Sequence, residues 1–197
     1  MQVRTPNANS IEFNCGGFET LSEALDYAAK GVTGLNFYSV RGELESALTY
    51  HELRARAIEM AARLNTATEP AALLGLIAET SPDFAVMFFA CQYAGVLPVP
   101  ISVPVTLGSN AFYKDQLKRI CETAGLHCLL APTSILGVAK DALQHTGIQV
   151  GNLDGSDLTH TVSDLRPFAA DDMCYIQFSS GSTSSPKGIV GSQKSVT

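Results

Sequence analysis

The chain has 197 residues, of which 46% are hydrophobic and 16% are charged, so it can form one globular domain or a large part of one. Its formal net charge at pH 7 is −6, and its 13 Lys and Arg residues are scattered. A basic stripe of the kind that binds a nucleic-acid backbone is therefore not expected. The longest apolar stretches, such as 71–78 and 84–91, are far shorter than the roughly 18 residues that indicate a membrane span.

The N-terminal segment and the cysteines bear on location and redox chemistry. Residues 1–18 contain no positive region followed by an apolar segment, so we predict no secretory signal and a cytoplasmic location. The five cysteines are odd in number and form no C-x-x-C pair, which argues against disulfides and zinc. Cys91, Cys128 and Cys174 lie in hydrophobic runs and are predicted to be small core residues. The four histidines lack ligand spacing and are assigned no chemistry.

Two capping boxes predict helix starts in the first third of the chain. Thr20 is followed three residues later by Glu23, and Thr49 is followed in the same way by Glu52. The first helix is expected to end at Gly31. The elements predicted between the two helices are a strand over 35–40, a turn at 41–42 and a second extended segment that leads to residue 48.

From residue 72 onward, strand and helix patterns alternate. Ser81-Pro82 predicts an N-cap with proline at the first helical position, and residues 84–93 are apolar nearly all round, which indicates a helix buried on most sides. The other predicted elements are strands over 72–77, 96–101, 127–131 and 148–150, and helices over 111–124 and 134–144, with Gly95 and Gly125 as helix ends. Strands separated by helices imply parallel crossovers, so the predicted fold class is α/β, with a mostly parallel sheet flanked by helices.

The segment 173–191, MCYIQFSSGSTSSPKGIVG, is the part of the sequence that indicates chemistry. An apolar run leads into a loop of Ser, Gly and Thr, and the chain then returns into a second apolar run. Gly181 lets the backbone approach a ligand closely, and consecutive N–H groups can form a concave anion nest. The hydroxyl groups of the loop and the ammonium group of Lys187 add further donors. Such a hairpin tip can wrap a polyphosphate.

Two other interpretations of this loop are a solvated hairpin without a ligand and a P-loop. A solvated Ser/Gly hairpin without a ligand has the same composition. The P-loop pattern G-x-x-x-x-G-K-[ST] places its lysine at the same distance from Gly181, but Pro186 replaces the second glycine and Gly188 replaces the Ser/Thr. A P-loop also continues into a helix, whereas 188–190 predicts a strand. The loop is therefore not a Walker motif.

Three short motifs carry a resemblance to a known family. SSGSTSSPKG, at 179–188, resembles the phosphate-binding signature of the adenylate-forming enzymes, commonly [ST]-S-G-[ST]-T-G-x-P-K-G. LTYHEL, at 48–53, is similar to that family's L-[ST]-Y-x-E-L, and YAGVLPVP, at 93–100, is similar to its A-G-x-x-x-V-P. The motifs follow the family's order and approximate spacing, and together they span most of the chain.

Within that family the chain most resembles the fatty acyl-AMP ligases. The residues that carry this finer resemblance are Ile176-Gln177-Phe178 before the loop and Gln193 after it. Ser184 departs from the superfamily pattern, which usually has glycine at this position. A serine restricts the backbone, so the loop geometry can differ there.

The resemblance implies the N-terminal part of the family's large domain, with a phosphate-loop hairpin at its C-terminal end. It implies ATP-dependent, magnesium-assisted activation of a fatty carboxylic acid to an acyl-adenylate, followed by transfer to a thiol. In fatty acyl-AMP ligases the acceptor is usually an acyl carrier protein. The residues that the resemblance assigns to the ATP phosphates are Ser179, Ser180, Gly181, Ser182, Thr183, Ser184, Lys187 and Gly188.

In the family, the catalytic and magnesium-binding residues follow the phosphate loop. Residues 1–197 are therefore interpreted as a partial N-terminal domain, without the remainder of the large domain and the small C-terminal domain, and this fragment alone is predicted to be inactive. No catalytic residue is assigned, the metal ligands are unknown, and Asp171-Asp172 is interpreted as a polar strand entry. The alternatives left open are an acyl-CoA ligase, an amino-acid or aryl-acid adenylation domain, and a non-catalytic nucleotide-binding or interaction module.

Overall fold

The computed structural model describes residues 11–14, 16–67, 72–103, 110–158, 164–179 and 186–197. Its helices and strands, in chain order, are α1 (Leu21–Ala28), β1 (Gly34–Tyr38), β2 (Leu44–Thr49), α2 (Tyr50–Ala67), β3 (Leu73–Ala78), α3 (Pro82–Ala94), β4 (Leu97–Ser102), α4 (Asn110–Ala124), β5 (Cys128–Ala131), α5 (Thr133–Leu143), β6 (Gln149–Asn152), β7 (Met173–Ser179), β8 (Lys187–Ser192) and α6 (Gln193–Val196).

The centre of the fold is a four-stranded sheet in the order β4-β3-β5-β6. All three neighbouring pairs in this sheet are parallel. Helices α3, α4 and α5 make the crossovers between successive strands, as parallel connections require. The predicted α/β class with a parallel sheet is confirmed. β1 pairs with β2 and β7 pairs with β8 in two separate antiparallel hairpins.

Two apolar cores cover the two faces of the sheet. Leu74 and Leu76 of β3 belong to the core that contains residues of α2 and α3. Ile77, the next residue of the same strand, belongs to the core that contains residues of α4 and α5. This alternation follows from the two-residue period of a strand, and it explains why the strands are apolar on both faces.

The local signals for helix starts act as the sequence predicts, whereas α1 ends at Ala28, three residues before the predicted end at Gly31. Thr49 Oγ1 accepts a hydrogen bond from the backbone N–H of Glu52 at 3.1 Å, and Glu52 Oε2 accepts one from the N–H of Thr49 at 3.1 Å, which completes a capping box. Ser81 Oγ accepts from the N–H of Phe84 at 3.3 Å, with Pro82 in the first turn. These contacts satisfy N–H groups that have no partner within the helix.

The first strand is shorter than predicted. The expected strand over 35–40 ends at Tyr38. The hydroxyl oxygen of Ser39 accepts hydrogen bonds from the backbone N–H groups of Arg41 and Glu43, and Gly42 has a φ of 79°. The turn therefore begins at Ser39 and leaves Val40 outside the strand.

The four cysteines that the structure describes lie mostly in the core. Cys91 and Cys174 are fully buried, as predicted, whereas Cys128 is only half-buried. Cys121, on α4, is also fully buried, which was not predicted. Burial raises the pKa of the Cys121 thiol to about 12 and that of the Cys174 thiol to about 11, so both remain protonated at neutral pH.

Membrane-spanning helices and metal-binding clusters are both absent from the ranges that the structure describes. No helix in these ranges is long and apolar enough to cross a membrane. In the same ranges, no three His, Cys, Asp or Glu side chains come together in a way that could hold a metal ion.

Candidate functional site

The predicted loop is carried by the antiparallel hairpin β7–β8. The register pairs Ser179 with Lys187 and Phe178 with Gly188. The two ends of the predicted phosphate loop therefore stand side by side. The chain returns as a strand rather than a helix, which confirms the hairpin and excludes the strand-to-helix geometry of a P-loop.

Three of the predicted phosphate-binding residues are described and lie together. Ser179 is the last residue of β7, and Lys187 and Gly188 are the first two residues of β8. The other five, Ser180, Gly181, Ser182, Thr183 and Ser184, lie outside the described residues. Lys187 is exposed, and within the described part of the chain it has no ion-pair partner, so its ammonium group is available to an anion.

Gly188 leaves room for the side chains that hold the hairpin. A Cβ atom at this position would lie 3.0 Å from Ile176 Cγ2 and 3.2 Å from Phe178 Cζ. Ile176 and Phe178 are half-buried against the core that contains α4 and α5. On the other side of β7, the Tyr175 ring lies 6.4 Å from that of Phe88, between centroids. The hairpin thus packs against the rest of the chain along β7, which lies alongside β4. The exposed residues of β8 are Lys187, Gly188, Ile189 and Val190.

A β-bulge interrupts the base of the hairpin. The register pairs Met173 with Ser192 and Tyr175 with Gly191, so Cys174 is left out of the ladder. The backbone carbonyl of Cys174 accepts a hydrogen bond from Gln92 Nε2 at 3.0 Å instead. Gln92 lies on α3 and is fully buried, and sequence reasoning missed it. The signal that could have found it is one amide side chain within an otherwise apolar helix.

Gln193 completes this buried contact. Its Nε2 donates to Gln92 Oε1 at 2.8 Å, and its Oε1 accepts from the backbone N–H of Leu21 at 3.0 Å. Gln193 is the first residue of α6, directly after β8, and its side chain is fully buried. The sequence singled it out only as a mark of resemblance, whereas the structure gives it a set of contacts with α1 and α3.

A family model for AMP-binding enzymes matches residues 33–197, which is most of the chain. The chain belongs to the AMP-binding enzyme family.

Individual relatives of this AMP-binding chain agree with that assignment. It is 38% identical over 197 residues to a putative acyl-CoA synthetase of Caulobacter vibrioides, covering 98% of the chain and 34% of the relative. A structure from a study of fatty acyl-adenylate ligases of E. coli and L. pneumophila superimposes with a TM-score of 0.83 at 33% identity, covering 89% of the chain and 32% of that structure's chain. The chain thus spans about a third of the length of these relatives.

A more distant structure supports the fold alone. It is a fatty acyl-adenylate ligase from L. pneumophila in complex with acyl adenylate and pyrophosphate, with a TM-score of 0.73 at 23% identity. It covers 89% of this chain and 31% of that one. These likenesses show the α/β fold of the N-terminal part of the adenylate-forming enzymes.

The other two family-like motifs of the AMP-binding chain have structural roles. LTYHEL contains the capping box that begins α2. YAGVLPVP contains the end of α3, where Gly95 has a φ of 64°. A Cβ atom on Gly95 would lie 2.4 Å from the carbonyl oxygen of Arg166, so glycine is needed both for the backbone conformation and for this close approach. Both motifs thus contribute to where a helix begins or ends.

Asp171 and Asp172 form the polar strand entry that the sequence predicts. Asp172 Oδ2 accepts a hydrogen bond from the backbone N–H of Ala169 at 2.7 Å, and Asp172 O accepts one from the N–H of Gln193 at 3.1 Å. Asp171 forms an exposed ion pair with Lys194 and raises the pKa of that lysine through the hydrogen bond and its charge. These contacts close the base of the hairpin.

A concave region lies at the carboxyl ends of β3 and β5, where the connection from β3 to β4 and the connection from β5 to β6 leave in opposite directions. Open α/β sheets commonly bind ligands at such a point. This crevice measures about 220 Å³, and Glu79, Asp83 and Asp154 are among its lining residues. Three carboxylates disfavour a polyphosphate, so the hairpin remains the better candidate for a nucleotide tail.

Proposed function

We propose that this chain provides the ATP-phosphate site of an enzyme that activates a fatty carboxylic acid as an acyl-adenylate. The observation that supports the proposal most directly is the pairing of Ser179 with Lys187. This pairing brings the two ends of a Ser/Gly/Thr loop together, in a chain of the AMP-binding family, and Lys187 has no ion-pair partner among the described residues.

The proposed chemistry is the attack of a carboxylate oxygen on the α-phosphorus of ATP, with pyrophosphate as the leaving group. Residues 179–184 and Gly188 would hold the β- and γ-phosphates through backbone N–H and hydroxyl donors. Lys187 would oppose the charge that grows on the leaving pyrophosphate. Such fixed donors act mainly by positioning and by charge stabilisation. Magnesium would add positive charge when bound with the nucleotide, and we assign no protein ligand to it.

The donor set of the described residues fits this role. Lys187 is exposed at the start of β8 and carries no carboxylate partner in the described ranges. Gly188, next to it, has no side chain that could block an approaching phosphate. A lysine ammonium is a compact point charge on a flexible stem, which suits contact with phosphate oxygens.

The fatty acid and the thiol acceptor are finer parts of the proposal. Likeness to a structure from a study of fatty acyl-adenylate ligases favours a fatty acid, and with it an acyl carrier protein as acceptor. Coenzyme A is the second candidate, because the Caulobacter relative is named a putative acyl-CoA synthetase. Supplying the enzyme with both thiols and identifying the acylated one by mass spectrometry separates the two.

We also propose that residues 1–197 are a partial N-terminal domain, inactive alone. The chain spans about a third of its relatives, and no catalytic residue is assigned within it. Incubated with ATP, magnesium and fatty acids of medium and long chain length, it is expected to release no pyrophosphate above background. Clear turnover would show that the interpretation as a partial domain is wrong.

Replacing the loop lysine tests the phosphate site directly. In the complete enzyme, Lys187→Ala should slow adenylation by roughly 100-fold or more, because a preorganised charge contact to the leaving group is lost. ATP–pyrophosphate exchange measures this rate. Lys118→Ala is the matched control, since Lys118 is an exposed lysine on α4 whose ammonium lies 3.9 Å from Glu122. An unchanged rate in Lys187→Ala would remove this lysine from the mechanism.

A further inference from the structure

Four polar residues are buried in the described part of the chain. They are Thr20, Ser22, Gln92 and Gln193. The first two flank Leu21, whose backbone N–H donates to Gln193 Oε1. Burying an amide side chain costs free energy unless its donors and acceptors find partners. Two fully buried glutamines in one contact therefore call for a structural explanation.

Gln92 takes the place of a missing ladder partner. The bulge at the base of the hairpin leaves Cys174 unpaired with β8, and a buried carbonyl without a partner would be destabilising. Gln92 Nε2 donates to that carbonyl at 3.0 Å. The backbone of β7 is thereby joined to α3, a helix that packs on the central sheet.

Gln193 connects the other strand of the hairpin, β8, to Gln92 and α1. Its position directly after β8 places its side chain against Gln92, to which its Nε2 donates at 2.8 Å. Its Oε1 accepts from the N–H of Leu21, the first residue of α1, which has no acceptor within its own helix. The Gln92–Gln193 pair thus joins α1, α3 and both strands of the hairpin.

We propose that the Gln92–Gln193 pair is a positioning device, which fixes the base of the β7–β8 hairpin and so orients the loop at its tip. The pair contacts both strands at the end opposite to Ser179 and Lys187. About five strand residues, at roughly 3.3 Å each, separate the base from the tip, so a small tilt at the base moves the tip by ångströms. The binding of nucleotide phosphates by the oriented loop rests on the proposed function. The role of the pair in holding the hairpin is independent of that function.

Two substitutions of Gln92 test the proposal in the full chain by hydrogen exchange and mass spectrometry. Gln92→Met keeps the size but removes the hydrogen bonds of the Gln92 amide to the Cys174 carbonyl, the Cys174 thiol and Gln193, so exchange in peptides from 173–192 should rise at least about tenfold. Peptides from β3 and β5 should stay within about twofold of wild type, because opening of the hairpin is local.

Gln92→Glu should restore the wild-type protection of the hairpin when its carboxyl group is protonated. A side chain that only filled space would show no such dependence on protonation. A protonated carboxyl can donate to the Cys174 carbonyl and accept from Gln193, whereas a carboxylate cannot donate. Burial raises the pKa of a carboxyl, so the variant should match wild type at pH 6 and approach Gln92→Met at pH 9, each relative to wild type at the same pH. Among the described residues, the titratable group that forms a hydrogen bond with this amide is the Cys174 thiol, whose raised pKa of about 11 keeps it neutral in this range.

Two control variants separate the effect of losing the Gln92–Gln193 pair from general effects of substitution. Gln144→Met makes the same chemical change at an exposed position after α5 and should leave all peptides unchanged. Leu143→Ala opens a cavity in the core that contains α4 and α5, and it should raise exchange throughout rather than in the hairpin alone. The proposal is wrong if Gln92→Met raises hydrogen exchange in the hairpin peptides no more than in peptides from β3 and β5. It is also wrong if the exchange of Gln92→Glu, relative to wild type, does not change with pH. Should Gln92→Met not fold, the pH response of Gln92→Glu decides.

A kinetic measurement in the complete enzyme tests whether the Gln92–Gln193 pair affects ATP binding. Gln92→Met should raise the KM for ATP about tenfold and leave the KM for the acid within about twofold. A loosened hairpin with an unchanged KM for ATP would overturn the orienting role. Wild-type enzyme that does not bind ATP would contradict the proposed function, and the exchange experiment would still decide whether the pair holds the hairpin.

Discussion

The central sheet and the β7–β8 hairpin are stabilised in different ways. Each face of the sheet has its own apolar core, and residues such as Leu76 and Leu129 are completely buried. The hairpin is packed along β7, while on β8 Ile189 and Val190 are 63% and 52% exposed. Its base depends on a bulge, two buried amides and a polar strand entry. The stable part of the chain and the part proposed to bind ligand are therefore joined by apolar packing along β7 and by directional hydrogen bonds at the base.

Removing a core side chain from the sheet should have the largest effect. Leu129→Ala creates a cavity beside β3 and should lower the free energy of global unfolding by about 2–5 kcal/mol. Chemical denaturation measures this loss. Ile189→Ala, on the exposed strand of the hairpin, should change it by less than about 0.5 kcal/mol. Equal losses in both variants would remove the distinction between the two regions.

Adding a methyl group at the end of α3 should have an intermediate effect. Gly95→Ala introduces a Cβ atom 2.4 Å from the Arg166 carbonyl oxygen in a left-handed conformation, and the conformation alone costs about 1–2 kcal/mol. Thermal unfolding should show the lower stability. Gly137→Ala, inside α5 with no atom near the new Cβ, should instead stabilise by about 0.5–1 kcal/mol. A stabilised Gly95→Ala would contradict the close approach.

Removing the exposed ion pair at the base of the hairpin should have the smallest effect. Asp171→Asn breaks the pair with Lys194, but exposed pairs contribute little because water and salt screen them. The melting temperature is expected to stay within experimental error, at low and at high salt. A clear, salt-dependent decrease would show that charge at the strand entry also holds the hairpin.

Much of the fold follows from short-range sequence signals. The capping boxes, Ser81-Pro82 and Gly95 act within a few residues, so their effect can be predicted without knowledge of the rest of the chain. Cys121 was missed although it lies four residues after Leu117, the spacing of one helix face.

The candidate site was predicted only in part. The hairpin and the place of Ser179, Lys187 and Gly188 follow from composition and from the family resemblance. The contacts of Gln92 do not, because its partners Cys174 and Gln193 are 82 and 101 residues away in the chain. A bulge is likewise a property of two paired strands, and periodicity within one strand does not reveal it.

The bulge at Cys174 also determines to which face of β7 each following side chain points. Alternate residues of a strand point to opposite faces, so the single extra residue determines that Ile176 and Phe178 meet one core while Tyr175 meets Phe88. Deleting that residue would turn every following side chain of β7 over and point the aromatic and aliphatic groups at the wrong neighbours. Lineages of this chain should therefore tolerate substitutions in β7 far better than a change in its length.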